Sequence, residues 1–243
     1  MWVIAHRGAS GSAPENTLAA FRRAVELGAG FIETDLQLSR DTRLVALHDP
    51  TLERTTNGSG KVSSTTLAEL RKLDAGGWFQ GPVAEPGSFS GEPVPTIEEI
   101  LAFGQEKDIG LFLEIKAPGA SGAEHTLVGA LHAADAVGRT VVLSFDPGLL
   151  GKVRQLDPLI VAGYLYDESL ADAVGKAVAA GARQILPRVD RITANLVEEA
   201  HRSDLKIVAW TVNARQKMKE LMDLGVDGII TDYPQELVSL LAG

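Results

Sequence analysis

Four clusters of charged residues stand at or near the ends of apolar runs. His6-Arg7-Gly8 closes the first run, Glu33-Thr34-Asp35 lies in the next, His48-Asp49-Pro50 ends a third, and Glu114-Ile115-Lys116 interrupts the run from Gly110 to Lys116. Polar groups at the ends of otherwise buried strands are costly unless they meet a ligand or one another. The pattern therefore points to one polar site assembled where several strands finish. Residues two apart on a strand share a side, so Glu33 and Asp35 converge, and Glu114 with Lys116 repeats the spacing. Converging carboxylates repel, and a hard divalent cation between them relieves the cost. All-oxygen ligation suits Mg²⁺ or Ca²⁺ better than zinc. The same spacing also allows a structural ion network, with Glu33 and Asp35 paired to Lys116 and Arg7.

His6 and His48 form a natural acid–base pair, because imidazole titrates near neutral pH and one ring can take a proton while the other gives one. The remaining histidines, His125, His132 and His201, fall inside helical patterns and read as surface or helix-packing groups. Arg7 and Lys116 suit a bound phosphate, or else neutralise the acids beside them. Trp210, in the seventh apolar run, fits either an apolar wall of the pocket or the core. The glycines from Gly8 to Gly11 resemble a phosphate cradle only as much as ordinary loops do.

These side chains need strands to hold them. Apolar runs occur at Trp2–Ala5, Phe31–Leu36, Gly110–Ile115, Val141–Phe145, Leu159–Tyr164, Gln184–Leu186, Lys206–Val212 and Gly228–Ile230. Amphipathic periods lie between them, with Leu18, Phe21 and Val25 on one face, Leu170, Val174, Ala177 and Val178 on a second, and Met218, Leu221 and Met222 on a third. Thr96 followed by Glu99 reads as a capping box, Pro147 and Pro158 suit first-turn positions, and Asn213 suits an N-cap. Near-continuous apolar runs are expected of parallel strands covered on both faces. Run-then-helix units in a chain of this length give an α/β fold, a closed (β/α)8 barrel whose C-terminal strand ends carry the site. A doubly wound open sheet is the second choice, disfavoured because no Gly-rich dinucleotide loop follows a strand. The stretch from about Pro50 to Pro95, with Asn57-Gly58-Ser59-Gly60, Gly76-Gly77, Gly87 and a short helical segment at Leu67–Leu73, breaks the alternation. It reads as an insertion over the barrel mouth, leaving residues 1–243 a single domain.

The chain has 243 residues, 45% of them hydrophobic, enough for a full core. A formal net charge of −9, with no run of Lys or Arg longer than two, argues against a nucleic-acid or anionic-membrane surface but permits a cationic pocket for one phosphate. The absence of cysteine removes disulfides, thiolate metal sites and cysteine catalysis. Met1 to His6 reach a charged pair with no basic leader and no long apolar stretch, so a soluble, cytoplasmic protein is expected.

Ala-His-Arg-Gly at 5–8, Pro-Glu-Asn-Thr at 14–17, Glu33-Thr-Asp35, His48-Asp49, Leu52-Glu-Arg-Thr55, Glu114-Ile-Lys116, Trp210-Thr-Val-Asn213 and Gly228-Ile-Ile-Thr-Asp232 resemble, in order and over essentially the whole chain, the glycerophosphodiester phosphodiesterase family, most closely its small cytosolic bacterial members. The resemblance implies a (β/α)8 barrel and one divalent cation held by Glu33, Asp35 and Glu114. It further implies catalysis by His6 and His48, phosphate contacts from Arg7 and Lys116, and an ordering role for Asn16. The expected activity is hydrolysis of glycerophosphodiesters to sn-glycerol 3-phosphate and an alcohol, with His6 as base and His48 as acid. A related barrel phosphodiesterase acting on lysophospholipids or inositol lipids would want an apolar groove. A sugar-phosphate isomerase has no need of two such histidines, and a non-catalytic sensor should have lost one of these residues.

Overall fold

The strands and helices close into a barrel in the computed structural model of the chain, which describes residues 1–81, 88–116, 122–167 and 172–243. The strands are β1 (Trp2–His6), β2 (Phe31–Leu38), β3 (Leu44–Ala46), β4 (Gly110–Ile115), β5 (Thr140–Ser144), β6 (Val161–Tyr166), β7 (Gln184–Pro187), β8 (Lys206–Ala209) and β9 (Gly228–Thr231). All but β3 are parallel, in the order β1-β2-β4-β5-β6-β7-β8-β9, and β9 pairs back onto β1. This is a closed (β/α)8 barrel.

Helices α1 (Leu18–Glu26), α2 (Leu67–Leu70), α3 (Ile97–Glu106), α4 (Ala123–Ala133), α5 (Pro147–Leu156), α6 (Ala173–Ala179), α7 (Ala194–Arg202), α8 (Arg215–Leu224) and α9 (Pro234–Leu241) accompany the strands. Their starts are written locally. Thr17 caps α1, and Thr96 with Glu99 forms the expected capping box on α3. Pro147 stands in the first turn of α5 behind the Asp146 cap. Each such cap contributes on the order of 1 kcal/mol. The α1 face of Ala20, Phe21 and Ala24 is buried, as are Met218 and Leu221 of α8 and Val174 and Ala177 of α6, whereas Val178 is exposed. Leu170, expected on that last face, and Gly87 of the insertion lie outside the described residues.

Two expected starts are corrected. Pro158 follows α5 instead of opening a helix. Asn213 does not cap α8, whose N-cap is Ala214; its side chain turns to Thr231 and Asp232 instead. β6 also lies two residues later than the apolar run suggested.

Packing follows from strand alternation. Ile4, Phe112, Val141, Leu143, Leu165, Leu186, Val208 and Ile230 form one buried cluster drawn from seven of the barrel strands, the interior of the barrel. Residues of the other strand face pack beneath the helices, for example Ile32, Leu36, Leu111 and Leu113 with Ala20, Phe21 and Leu127. Each large aliphatic side chain buried in this way stabilises the fold by roughly 1.5–3 kcal/mol.

β3 is the element the sequence pattern did not separate. It runs antiparallel to the end of β2, with Leu36 opposite Ala46 and Leu38 opposite Leu44. His48 therefore follows a strand that turns back along β2, not a barrel strand. The Leu47 amide donates to the Asp35 carbonyl at 3.1 Å, and Gln37 Nε2 donates to the His48 carbonyl at 2.9 Å. These bonds bring His48 down to the level of Asp35. Beyond it, Leu47, Leu52, Val62, Leu70, Ala75 and Val94 make a small core of their own.

Candidate active site

Inward positions on three neighbouring strands change from apolar to charged toward the C-terminal end. On β1 the series is Trp2, Ile4, His6; on β2 it is Phe31, Glu33, Asp35; on β4, Phe112 precedes Glu114. Strand register then sets the neighbours, with His6 beside Glu33 and Asp35 beside Glu114. Glu33, Asp35 and Glu114 are 3%, 1% and 6% exposed, and each offers an oxygen within 4.8 Å of the others'. Such a group can hold a metal ion.

Cations crowd the cluster. Lys116 Nζ lies 2.9 Å from Glu114 Oε1 and 3.2 Å from Asp35 Oδ1. Arg7 Nε lies 3.0 Å from Asp35 Oδ2 but off the hydrogen-bonding line, so the contact is an ion pair alone. The Arg7 backbone amide donates to Glu33 Oε2 at 3.0 Å, which needs Arg7 at φ 56°, in the left-handed region. Gly8 follows at φ 81°, where a Cβ would stand 2.6 Å from the Ala20 backbone; the left-handed backbone and that close approach both call for glycine. Asn16, also left-handed at φ 59°, donates through Nδ2 to Asp35 Oδ2 at 2.9 Å, and its Oδ1 accepts from the Thr34 hydroxyl and the Asp35 amide.

The electrostatics divide the three acids. Burial opposes ionisation of all of them. For Asp35 the surrounding Arg7, Lys116 and His48, with the Asn16 amide, prevail and hold its carboxyl well below the ordinary value. Burial and the neighbouring Asp35 push Glu114 up to about 7 and Glu33 well above its usual range. Both cations stay charged despite burial: Asp35, Glu15 and Glu33 hold Arg7 up, and Asp35 and Glu114 do the same for Lys116.

The histidines are held alike. His6 Nδ1 lies 2.6 Å from Asp232 Oδ1, and His48 Nδ1 lies 2.6 Å from Asp49 Oδ1. An ionised carboxylate only accepts, so Nδ1 carries the proton in each ring and Nε2 is left for chemistry. Burial, with Arg7 and Lys116, lowers the His48 pKa against the pull of Asp35. Asp232 also accepts from Ser10 and Asn213. The floor of the site, lined by His6, Glu33, Glu114, Leu143, Leu165, Trp210 and Ile230, encloses about 20 Å³. Trp210 is tied by Nε1 to the Leu186 carbonyl and meets the half-exposed Phe145 edge-on at 5.5 Å. A roomier cavity of about 390 Å³ opens at the other end of the barrel, between Trp2, Phe31, Phe112 and Gln184. Its lining contains no histidine and a single acid, Asp108.

Every residue singled out from the sequence thus comes to one end of the barrel, while His125, His132 and His201 sit on α4 and α7, exposed. The partners Asp232, Asp49, Glu15 and Arg54 were not assigned a role from sequence, although Asp232 carries the same mark as the others: an acid just past an apolar strand. Among the described residues no helix is long and apolar enough to cross a membrane.

Residues 6–236 match the model of the Glycerophosphoryl diester phosphodiesterase family. The chain is 39% identical over 241 residues to a glycerophosphodiester phosphodiesterase of Caldanaerobacter subterraneus subsp. tengcongensis, covering 98% of this chain and 97% of that one. It is 36% identical over 246 residues to a glycerophosphodiester phosphodiesterase of Bacillus subtilis, covering 96% and 83%. The solved structure of an Oleispira antarctica phosphodiesterase in complex with the product sn-glycerol-3-phosphate superposes with a TM-score of 0.92 at 30% identity, over 100% of this chain and 97% of that one.

Proposed function

The chain belongs to the glycerophosphoryl diester phosphodiesterase family, and we propose that it hydrolyses glycerophosphodiesters to sn-glycerol 3-phosphate and an alcohol, with a divalent cation and two histidines. The observation that carries the reading is the matched pair of rings, each clamped at Nδ1 by a carboxylate 2.6 Å away, beside a buried cluster of three acids and two cations. The donor set fits a hard cation: all ligands are oxygen, and two of the three carboxyls resist ionisation where they stand. Glu33, Asp35 and Glu114 would hold one Mg²⁺ or Ca²⁺. A cation bound there would offset the charge that grows on the phosphoryl oxygens and acidify an oxygen near it.

The chain's own groups supply the rest. Arg7 and Lys116 each have substrate phosphate within their chemistry once it competes with Asp35, Glu15 and Glu114 for them. One ring takes the proton of the attacking hydroxyl at its free Nε2, and the other, which the step requires with protons on both ring nitrogens, gives its Nε2 proton to the leaving alkoxide. The attacking oxygen is the 2-hydroxyl of the glycerol, already tethered to the phosphate, and the five-membered cyclic phosphate it forms is opened by water with the two rings exchanging roles. Trp210 and Phe145 form the apolar side of the pocket. Asn16 keeps Asp35 and Thr34 in place.

In this reading the chain is one catalytic unit, the segment at about 50–95 is an insertion over the mouth, and the reaction is cytoplasmic. The test is turnover of a panel of glycerophosphodiesters, glycerophosphocholine and glycerophosphoethanolamine among them, with Mg²⁺ or Ca²⁺ and with sn-glycerol 3-phosphate measured. Release of the phosphate on the glycerol side supports the reading. Binding without any product, for every head group and metal, overturns it.

A further inference from the structure

Arg54 lies outside the acid cluster, yet its guanidinium grips two carboxylates at once. Nε and Nη2 donate to Asp49 at 2.6 and 3.1 Å, and Nη1 and Nη2 donate to Glu15 at 2.7 and 2.9 Å. Both oxygens of each acid are engaged. Each acid is also shared inward. Glu15 Oε1 accepts from Arg7 Nη1 at 2.8 Å, and Asp49 Oδ1 accepts from His48 Nδ1 at 2.6 Å. The result is an unbroken chain, Arg7–Glu15–Arg54–Asp49–His48, which joins directly two segments that, among the described residues, otherwise meet only through β2. Glu15 belongs to the loop between β1 and α1, and Asp49 to the segment after β3.

Single ion pairs as exposed as the Arg54 side chain, at 42%, are typically worth little, but a bidentate fork inside a charge network contributes stability. What a planar fork does well is fix geometry, because it holds two carboxylates at a set distance and angle. We propose that Arg54 is a positioning residue that locks the His48–Asp49 pair of one loop to the Glu15–Arg7 pair of another, so that the acid–base nitrogen and the phosphate-binding guanidinium face the substrate at a fixed separation. The inference rests on the catalytic reading of His48 and Arg7. A lysine cannot do the same work, having one compact charge in place of a fork that reaches both acids.

The experiment measures kcat and KM at saturating Mg²⁺ for the wild type, Arg54→Ala, Arg54→Lys, His48→Ala and the double variant Arg54→Ala/His48→Ala. Loss of positioning by about 1 Å costs about 10²-fold, so Arg54→Ala is expected to lose roughly ten- to hundredfold in kcat. Arg54→Lys should recover little of it, while millimolar guanidinium should restore part of the turnover of Arg54→Ala. In the His48→Ala background the Arg54→Ala loss should shrink to a few-fold, since a residue acting through another is non-additive with it. A kcat for Arg54→Ala close to wild type, or its full loss persisting without His48, overturns the proposal. Wild-type turnover in His48→Ala overturns the reading of His48 itself, and the role of Arg54 with it. Should Arg54→Ala fail to fold, the same cycle run on Arg54→Lys decides the question.

Discussion

Asp232 Oδ1 stands 2.6 Å from Nδ1 of His6, although 226 residues of chain separate the two. The barrel makes them neighbours because β9 closes onto β1, with Ala5 opposite Thr231. The contact fixes both the tautomer and the tilt of the ring, so in the proposed reaction it bears on turnover more than on folding.

Replacing Asp232 by Asn keeps the shape and removes the charge. The amide can donate to Nδ1, which would move the ring proton to Nε2 and leave the wrong tautomer. Asp232→Asn is expected to lose at least ~10²-fold in kcat, the scale of a general acid or base, with a thermal midpoint close to wild type. Turnover within a few-fold of wild type would remove Asp232 from the catalytic account.

His6→Ala and His48→Ala should each lose at least ~10²-fold in turnover, and the double variant much less than the product of the two losses. His125→Ala, His132→Ala and His201→Ala should behave like wild type, since His132 and His201 face Asp157 and Asp227 on the outer helices and His125 is mostly exposed. Steady-state assays of the five variants check this. A loss at His132 as large as at His6 would place the site elsewhere.

Exhaustive chelation should abolish activity, and added Mg²⁺ or Ca²⁺ should restore it. Glu114→Gln should weaken metal binding, read by calorimetry, while the circular dichroism spectrum stays that of the wild type, because Glu114 ends a strand instead of filling the core. Full activity after chelation would count against the metal reading.

A 2-deoxy analogue of the substrate should bind through Arg7 and Lys116 yet turn over very slowly, because it lacks the tethered nucleophile; effective molarities of well-oriented groups reach ~10⁵ M or more. Phosphorus NMR of slow variants should reveal a five-membered cyclic phosphate. Ordinary turnover of the analogue would mean that water attacks directly.

Arg54, together with His48, holds the Asp49 carboxyl down at about 2 from an ordinary 3.8, against a smaller effect of burial. A carboxyl whose folded value lies below its unfolded one contributes stability that is complete above the unfolded value and lost as pH falls through the folded one. The thermal midpoint of the wild type should therefore exceed that of Asp49→Asn above about pH 4, with the gap closing toward pH 2. A gap that does not change across that window would show that Asp49 is not ionised in the fold.

Local signals carried the barrel and most of the site. The apolar runs, the Thr96–Glu99 box and the two-residue spacing of Glu33 and Asp35 depend on residues close in sequence, whose geometry is set by strand and helix periods. The strand-end rule likewise marked His6, Glu114 and Lys116 without any knowledge of their neighbours. Tertiary structure decided the pairings. Whether Lys116 would meet Glu114 and Asp35, or Arg54 would bridge Glu15 and Asp49, depends on strand register and loop path, and those are fixed by packing across the whole barrel. His48 shows the boundary most clearly: its residue type was legible, but its place beside Asp35 required β3 to fold back along β2 as a hairpin, from Leu38 opposite Leu44 to Leu36 opposite Ala46, which the alternation of apolar runs and helices does not encode.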